Sequence, residues 1–169
     1  MSSVQVVRMN EGVEWATHTC LNLAWLGAER AVPAARLAAF YELPAAYLNK
    51  QLQALTRANI LTSVSGPRGG FRLAKAPEQV TLMDVVTAID GPDPAFRCTE
   101  IRQRGGSGEA AGPTSAPAAP CAIDAAMRKA ELAWRRELAA QTLADVIATV
   151  ESSNPGVPDK VRRWFDDTR

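Results

Sequence analysis

The sequence predicts a mainly α chain that carries one small β-hairpin and one long helix in its second half. Three observations carry that prediction. Apolar residues recur at helical spacing through the first part of the chain, with Pro33 and Pro44 opening two short segments. An alternating, β-branched stretch surrounds the turn Gly66-Pro67-Arg68-Gly69-Gly70. From Ala122 to Val150 there is neither Pro nor Gly.

Glu11 to Leu26 reads as a helix with Val13, Ala16, Cys20, Leu23 and Ala24 on one stripe, and Gly27 stops it. Pro33 opens a short helix through Tyr41. Pro44 opens another, Ala45 to Ala58, with Leu48, Leu52, Leu55 and Ile60 as its apolar line. Ile60 to Ser65 and Phe71 to Leu73 alternate as two strands joined by the basic, glycine-rich tip. Thr81 caps a helix to Ile89, and Gly91 lies past its end. Thr99 to Pro120 is rich in Gly and Pro and reads as a mobile loop, bordered by Cys98 and Cys121. Beyond it, Ile123, Met127, Ala130, Trp134 and Leu138 step along one face of a helix expected to run on the order of 40 Å. A domain this small cannot cover such a helix alone. A second copy of the chain covers it, or it folds back on its own domain. Asn154-Pro155-Gly156 breaks the chain before a charged tail, Val157 to Arg169, with room for one more short helix.

The 169 residues are 47 % hydrophobic and 22 % charged, enough to bury a core. No apolar run reaches the length of a membrane span, and no basic-then-apolar signal opens the chain. Three widely spaced Cys argue against a disulfide framework and for a reducing, cytoplasmic setting. The net charge is only +1, yet the window from Arg30 to Lys75 holds seven basic residues and the single acid Glu42, or +6, leaving −5 for the rest. That asymmetry suits a module that meets phosphate on one face. With one His, no nucleotide-binding loop and no nucleophile beside a base, nothing points to an enzyme or a small-molecule substrate.

Two short helices separated by Glu42-Leu43-Pro44 and followed by a basic hairpin make a winged helix-turn-helix. In that geometry the second helix enters the major groove of double-stranded DNA, and Tyr47, Asn49, Lys50 and Gln51 lie in its N-terminal part. The wing tip, Ser65 to Gly70, lies along the backbone or in the minor groove, with Arg68 inserted and glycines such as Gly69 allowing close approach. A solvated face accounts for any one of these residues. The agreement of charge, helix order and wing favours DNA.

The segments Tyr47-Leu48-Asn49-Lys50-Gln51-Leu52-Gln53-Ala54-Leu55, Ala58-Asn59-Ile60-Leu61-Thr62-Ser63, Gly66-Pro67-Arg68-Gly69-Gly70-Phe71-Arg72-Leu73 and Thr81-Leu82-Met83-Asp84-Val85-Val86 resemble the signature of the Rrf2 family of winged-helix regulators, the IscR and NsrR types. The resemblance covers most of the chain. It implies a homodimeric, sequence-specific transcription factor, read as a repressor, with a winged helix-turn-helix domain over 1–91, a cluster-binding loop over 92–121, a dimerisation helix over 122–151 and a tail over 152–169. Two departures are Asn59, where many members have Gly, and Ser65, where some carry Arg.

Several members of that family hold an iron–sulfur cluster on three Cys of the loop, whereas this loop is bounded by only Cys98 and Cys121. A [2Fe-2S] cluster needs four protein ligands. Glu14 and His18 stand at i, i+4 on the first helix, about 40° apart in projection. Glu14-Trp15-Ala16-Thr17-His18 resembles the RsrR-like branch, which implies Cys98, Cys121, His18 and Glu14 as ligands, with a helix ligand able to reach the cluster of the partner subunit. Cys20 lies about 200° round the helix from His18 and reads as a buried small hydrophobe. Two other uses of the same residues stay open. One is a reversible Cys98–Cys121 disulfide, and the other a zinc-stabilised module built on Cys98, Cys121, His18 and a carboxylate.

Overall fold

The computed structural model describes residues 9–106 and 120–167. They form two compact units, one reaching to Pro92 and resuming at Leu138, the other Asp93–Glu137.

The first unit opens with helix α1, Glu11–Leu26, N-capped by the Asn10 side chain accepting from the Gly12 N–H. Helices α2, Ala34–Phe40, and α3, Ala45–Arg57, follow with a turn between them at Tyr41–Pro44, where Glu42 takes φ +54°. Neither helix has a side-chain cap; Pro33 and Pro44 fix the entering backbone instead. Asn59 ends this segment at φ +56°. Glycine occupies that left-handed conformation most easily and Asn next, so Asn59 satisfies the turn.

Strands β1, Leu61–Val64, and β2, Gly70–Leu73, pair antiparallel from Leu61 opposite Leu73 to Val64 opposite Gly70. Val32 adds a short third edge through two hydrogen bonds with Phe71, 2.9 and 2.8 Å. The wing is therefore bolted to the segment that leads into α2. Helix α4, Leu82–Asp90, carries the expected Thr81 cap, reciprocated by the Asp84 carboxylate, and ends at Gly91.

The single helix expected from Ala122 to Val150 is instead two: α5, Ala122–Ala140, and α6, Leu143–Ser153. Thr142 and Asp145 form a capping box at the break. The broken backbone is also gripped from outside. The Leu82 N–H donates to Gln141 O at 2.9 Å and the Leu143 N–H to Val80 O at 2.8 Å, placing Thr142 beside Thr81. Helix α5 is thus about 28 Å long rather than 40.

The charged tail forms the further helix the sequence had room for, but does not stay outside the core. Helix α7, Val157–Asp167, belongs to the core, with Phe165 only 1 % exposed and stacked on Phe40 at 5.3 Å. The same core cluster holds Leu23, Leu37, Leu48, Leu52, Leu55, Ile60, Leu61 and Val85, contributed by α1 to α4, the hairpin and the residue before it. In the second unit, Ala95 N–H donates to Glu131 at 3.0 Å and Arg135 donates to Asp93 O at 3.0 Å, tying the segment after Pro92 to α5. The expected mobile loop, Thr99 to Pro120, lies outside the described residues over 107–119; before that it makes a short 3-10 turn, Ile101–Gln103.

Candidate functional site

Helix α3 presents its polar face to solvent through Asn49, Lys50, Gln53 and Arg57, which fall within an arc of about 100°. Tyr47 is half-buried at the start of the helix. Gln51 is the correction. It is 5 % exposed and turned inward, beside Gly12 of α1. Its spacing from Leu48 (i+3) and Leu55 (i−4) already put it on the apolar side, a signal that its side-chain chemistry obscured. The same periodicity brings out Gln53 and Arg57, which had not been singled out for this face.

At the wing tip Ser65, Pro67 and Arg68 are exposed. Gly69 is buried, so it is not a contact residue. Its N–H closes the turn onto Gly66 O at 2.9 Å, and an added Cβ would stand 2.2 Å from Val64 O.

The basic window is spent in two ways. Arg30 pairs with Asp166 at 2.7 Å and, with Arg36, donates to Phe165 O; Arg36 also lies over the rings of Trp164 and Phe165 at 5.6 and 5.8 Å. Arg72 pairs with Glu29 at 3.1 Å. Lys50, Arg57, Arg68 and Lys75 remain exposed, with no ion pair to a described carboxylate. The charge on the recognition helix and wing is therefore smaller than +6, and it is concentrated on them.

The structure brings Cys98 and Cys121 together within the second unit, side chain to side chain. Cys121 immediately precedes α5 and its carbonyl accepts from Ala125 at 3.0 Å, the N-cap position. The N–H of Asp124 chiefly, then that of Ile123, the Cys98 thiol and the Arg102 charge hold the Cys121 thiol below its ordinary range, against a smaller opposing effect of burial. Cys98 Sγ accepts from the Glu100 N–H at 3.4 Å. Sulfur here meets converging donors, the setting that suits a thiolate and the metal it would bind.

Glu14 and His18 are exposed on α1, in the first unit. Between them Trp15 packs edge-on against Tyr41 at 5.5 Å, and the His18 ring lies 6.0 Å from Tyr41. Asn22, one turn on, donates to the Tyr41 hydroxyl at 2.7 Å. Cys20 is fully buried and its thiol is pushed up to about 12 by burial, in keeping with a small hydrophobe. Among the described residues no three His, Cys, Asp or Glu side chains of one chain gather into a metal-holding group. Nor is any described helix long and apolar enough to cross a membrane.

A helix-turn-helix with a wing, exposed basic side chains on both and a mostly helical remainder define a DNA-binding transcriptional regulator, a class that performs no catalysis. Residues 9–149 match the family described as Rrf2, iron-dependent transcriptional regulator, and the chain belongs to that family. The HTH-type transcriptional regulator BadM of Rhodopseudomonas palustris is 37 % identical over 78 residues, 46 % of this chain and 49 % of that protein. The chain thus spans about half the length of that relative, and 41 % of a similar regulator from Aquifex aeolicus. The structure of CymR, the global cysteine regulator of B. subtilis, superposes with a TM-score of 0.64 at 19 % identity, over 85 % of this chain and 98 % of that one. T. potens IscR gives 0.64 at 18 % identity, over 88 % and 91 %. At these identities the two structures speak for the fold.

Proposed function

We propose that this chain is a redox-responsive repressor that binds an operator as a homodimer in the cytoplasm and senses through a [2Fe-2S] cluster on Cys98, Cys121, His18 and Glu14. The observation that carries the reading is the Cys98–Cys121 pair at the start of α5, set among backbone N–H groups and the Arg102 guanidinium. Two adjacent thiols are the right donors for one iron, and a cluster of this type needs four protein ligands. Glu14 and His18, exposed and one turn apart, supply the other two, from the same or the partner subunit.

Helix α5 supports the dimer. It has no buried residue, and Ile123 (63 % exposed) and Met127 (45 %) head an apolar face that continues through Ala130 and Trp134. A second copy of the same face is the natural cover for it. DNA is met by Asn49, Lys50 and the edge of Tyr47 on α3, and by Ser65 and Arg68 on the wing. When bound, the cluster supplies a one-electron change of charge. His18 would offer it a ring nitrogen and Glu14 a carboxylate oxygen, and Trp15 and Asn22 connect that stretch of α1 to Tyr41 in the turn between α2 and α3.

Anaerobic purification followed by absorption spectroscopy and iron and sulfide analysis tests the reading. A brown protein with equimolar iron and sulfide, bleached in Cys98→Ala and altered in His18→Ala, is the expected result. A colourless protein with stoichiometric zinc overturns it in favour of the zinc module. The nearness of Cys98 to Cys121 also favours one second reading, a reversible disulfide. A colourless, metal-free protein whose DNA affinity changes on oxidation, and no longer does so in Cys121→Ser, would establish that instead.

A further inference from the structure

The buried residues of α3 are Leu48, Gln51, Leu52 and Leu55. At about 100° per residue they centre on one direction, and directly opposite runs a single line of side chains, Ala46, Lys50, Gln53 and Arg57, each within about 30° of it. Asn49 stands about 70° from that line and Tyr47 about 90°. All residues of the line are exposed. Their spacing, i, i+4, i+7 and i+11, suits a helix laid along the major groove, where base-reading side chains recur at i, i+3 or i+4 and i+7 and the C-terminal end meets the backbone.

Gln53 has the chemistry of a reader rather than of a helix stabiliser. It follows Lys50 by three residues and precedes Arg57 by four, where a Glu would pair with both cations. The chain places a neutral amide there, and α3 carries no acid along its whole length. Among the described residues the Gln53 amide has no hydrogen-bond partner. An acid-free face brings no like charge to phosphate, and a primary amide pairs bidentately with the N6 and N7 edge of adenine. Ala46, on the same line near the start of the helix, is short enough to let α3 lie close to the bases. Ala46 and Gln53 are seven residues apart, about 10 Å along the helix, the span of about three base-pair steps.

We propose that Gln53 is a specificity-determining residue of α3, reading an adenine about three base pairs beyond the pair that Ala46 faces, with Lys50 between them. Arg57 continues the line as a phosphate contact and carries no sequence information. The assignment rests on the docking of α3 in the major groove and is independent of the cluster.

The test offers the full chain a library of duplexes with a randomised core and sequences those it enriches at fixed salt. Wild type is expected to enrich a two-fold symmetric consensus in which one adenine of each half-site is preferred at least about fivefold. Gln53→Ala should reduce that preference to below about twofold and leave the other positions in place. Gln53→Glu should move the same position to cytosine, whose N4 amino group donates to a carboxylate. Arg57→Ala should keep the consensus and lower the log–log salt slope by about one. Ala and Glu are good helix formers and the site is exposed, so circular dichroism should show both Gln53 variants folded. A consensus that neither Gln53 variant alters, while Asn49→Ala or Lys50→Ala does, overturns the assignment to Gln53 and leaves the docking of α3 standing. A consensus that no α3 variant alters, or a wild type that enriches no sequence, overturns that docking and the assignment with it.

Discussion

Gln51 on α3 closes over Gly12 in the first turn of α1, so that a Cβ added at Gly12 would stand 2.8 Å from the Gln51 amide atoms. Helix α3 is therefore seated on the helix that carries Glu14 and His18, at a point where a hydrogen is the only side chain that fits without displacement. Because the obstructing atoms end a flexible side chain, Gly12→Ala is expected to swing Gln51 aside rather than unfold the domain. The better helix propensity of Ala, about 1 kcal/mol, offsets part of the cost. Urea melts of Gly12→Ala, Gln51→Ala and the double variant should show coupling of at least about 0.5 kcal/mol. Strict additivity would mean the two residues do not share this space.

Gly70 presents the opposite case. Its φ is +142°, and an added Cβ would lie 2.2 Å from the Val32 backbone carbon, which cannot move without breaking the wing edge. Gly70→Ala is expected to cost at least about 2 kcal/mol in the same melts. A loss below half that value would contradict the close approach of Val32.

DNA affinity should fall steeply with salt, because the exposed cations Lys50, Arg57, Arg68 and Lys75 would displace counterions from phosphate. Lys50→Ala and Arg68→Ala should weaken binding on every sequence and each reduce the log–log salt slope by about one. Asn49→Ala should relax sequence preference, whereas Gln51→Ala should leave preference unchanged and show up in stability. Normal binding at moderate salt by the Lys50→Ala, Arg68→Ala double variant would rule out this docking mode.

The apolar face of α5 should hold the dimer. Trp134→Asp and Met127→Asp place a carboxylate in it, and light scattering after size exclusion should then report the monomer mass with helical content retained. A dimer that survives both substitutions would require another interface.

Asp145 gives a pH signature. The Thr142 N–H, and then its hydroxyl, hold the Asp145 carboxyl below its ordinary value, so its stabilising contribution is complete above the carboxylate range and is lost as pH falls through the lowered folded value. Wild type should melt above Asp145→Asn at neutral pH, and the gap should close below about pH 4. A gap that stays constant down to pH 3 would show that the charged cap contributes nothing.

Elements built from local rules were legible in the sequence. Pro33 and Pro44 at helix starts, Thr81 at a cap and the alternation around Gly66–Gly70 each act within about four residues, the reach of a helical turn or a tight hairpin. The break at Thr142 also had a local sign, since Thr142-Leu143-Ala144-Asp145 is a capping-box pattern. The uninterrupted apolar periodicity hid it, and the grip of Val80 and Leu82 on the broken backbone involves residues some sixty positions away. The candidate site divides in the same way. Lys50 and Arg68 stand exposed as the periodicity and the wing suggest, while Gln51 and Gly69 have a chemistry that fits DNA and positions that turn them away from solvent.

The sequence alone determined a winged helix-turn-helix, a long amphipathic helical stretch, and a supply of two thiols bordering a loop, one imidazole and a basic window. Tertiary structure decided which of these groups meet. It drew Arg30 and Arg36 onto the C-terminal helix, and it brought Cys98 to Cys121 although they stand 23 positions apart. The physical reason is that dihedral preference and side-chain periodicity act over a few residues. The partners of Phe165 or Cys121 are chosen by burial and charge among residues distant in the chain, a choice that only the packed fold records.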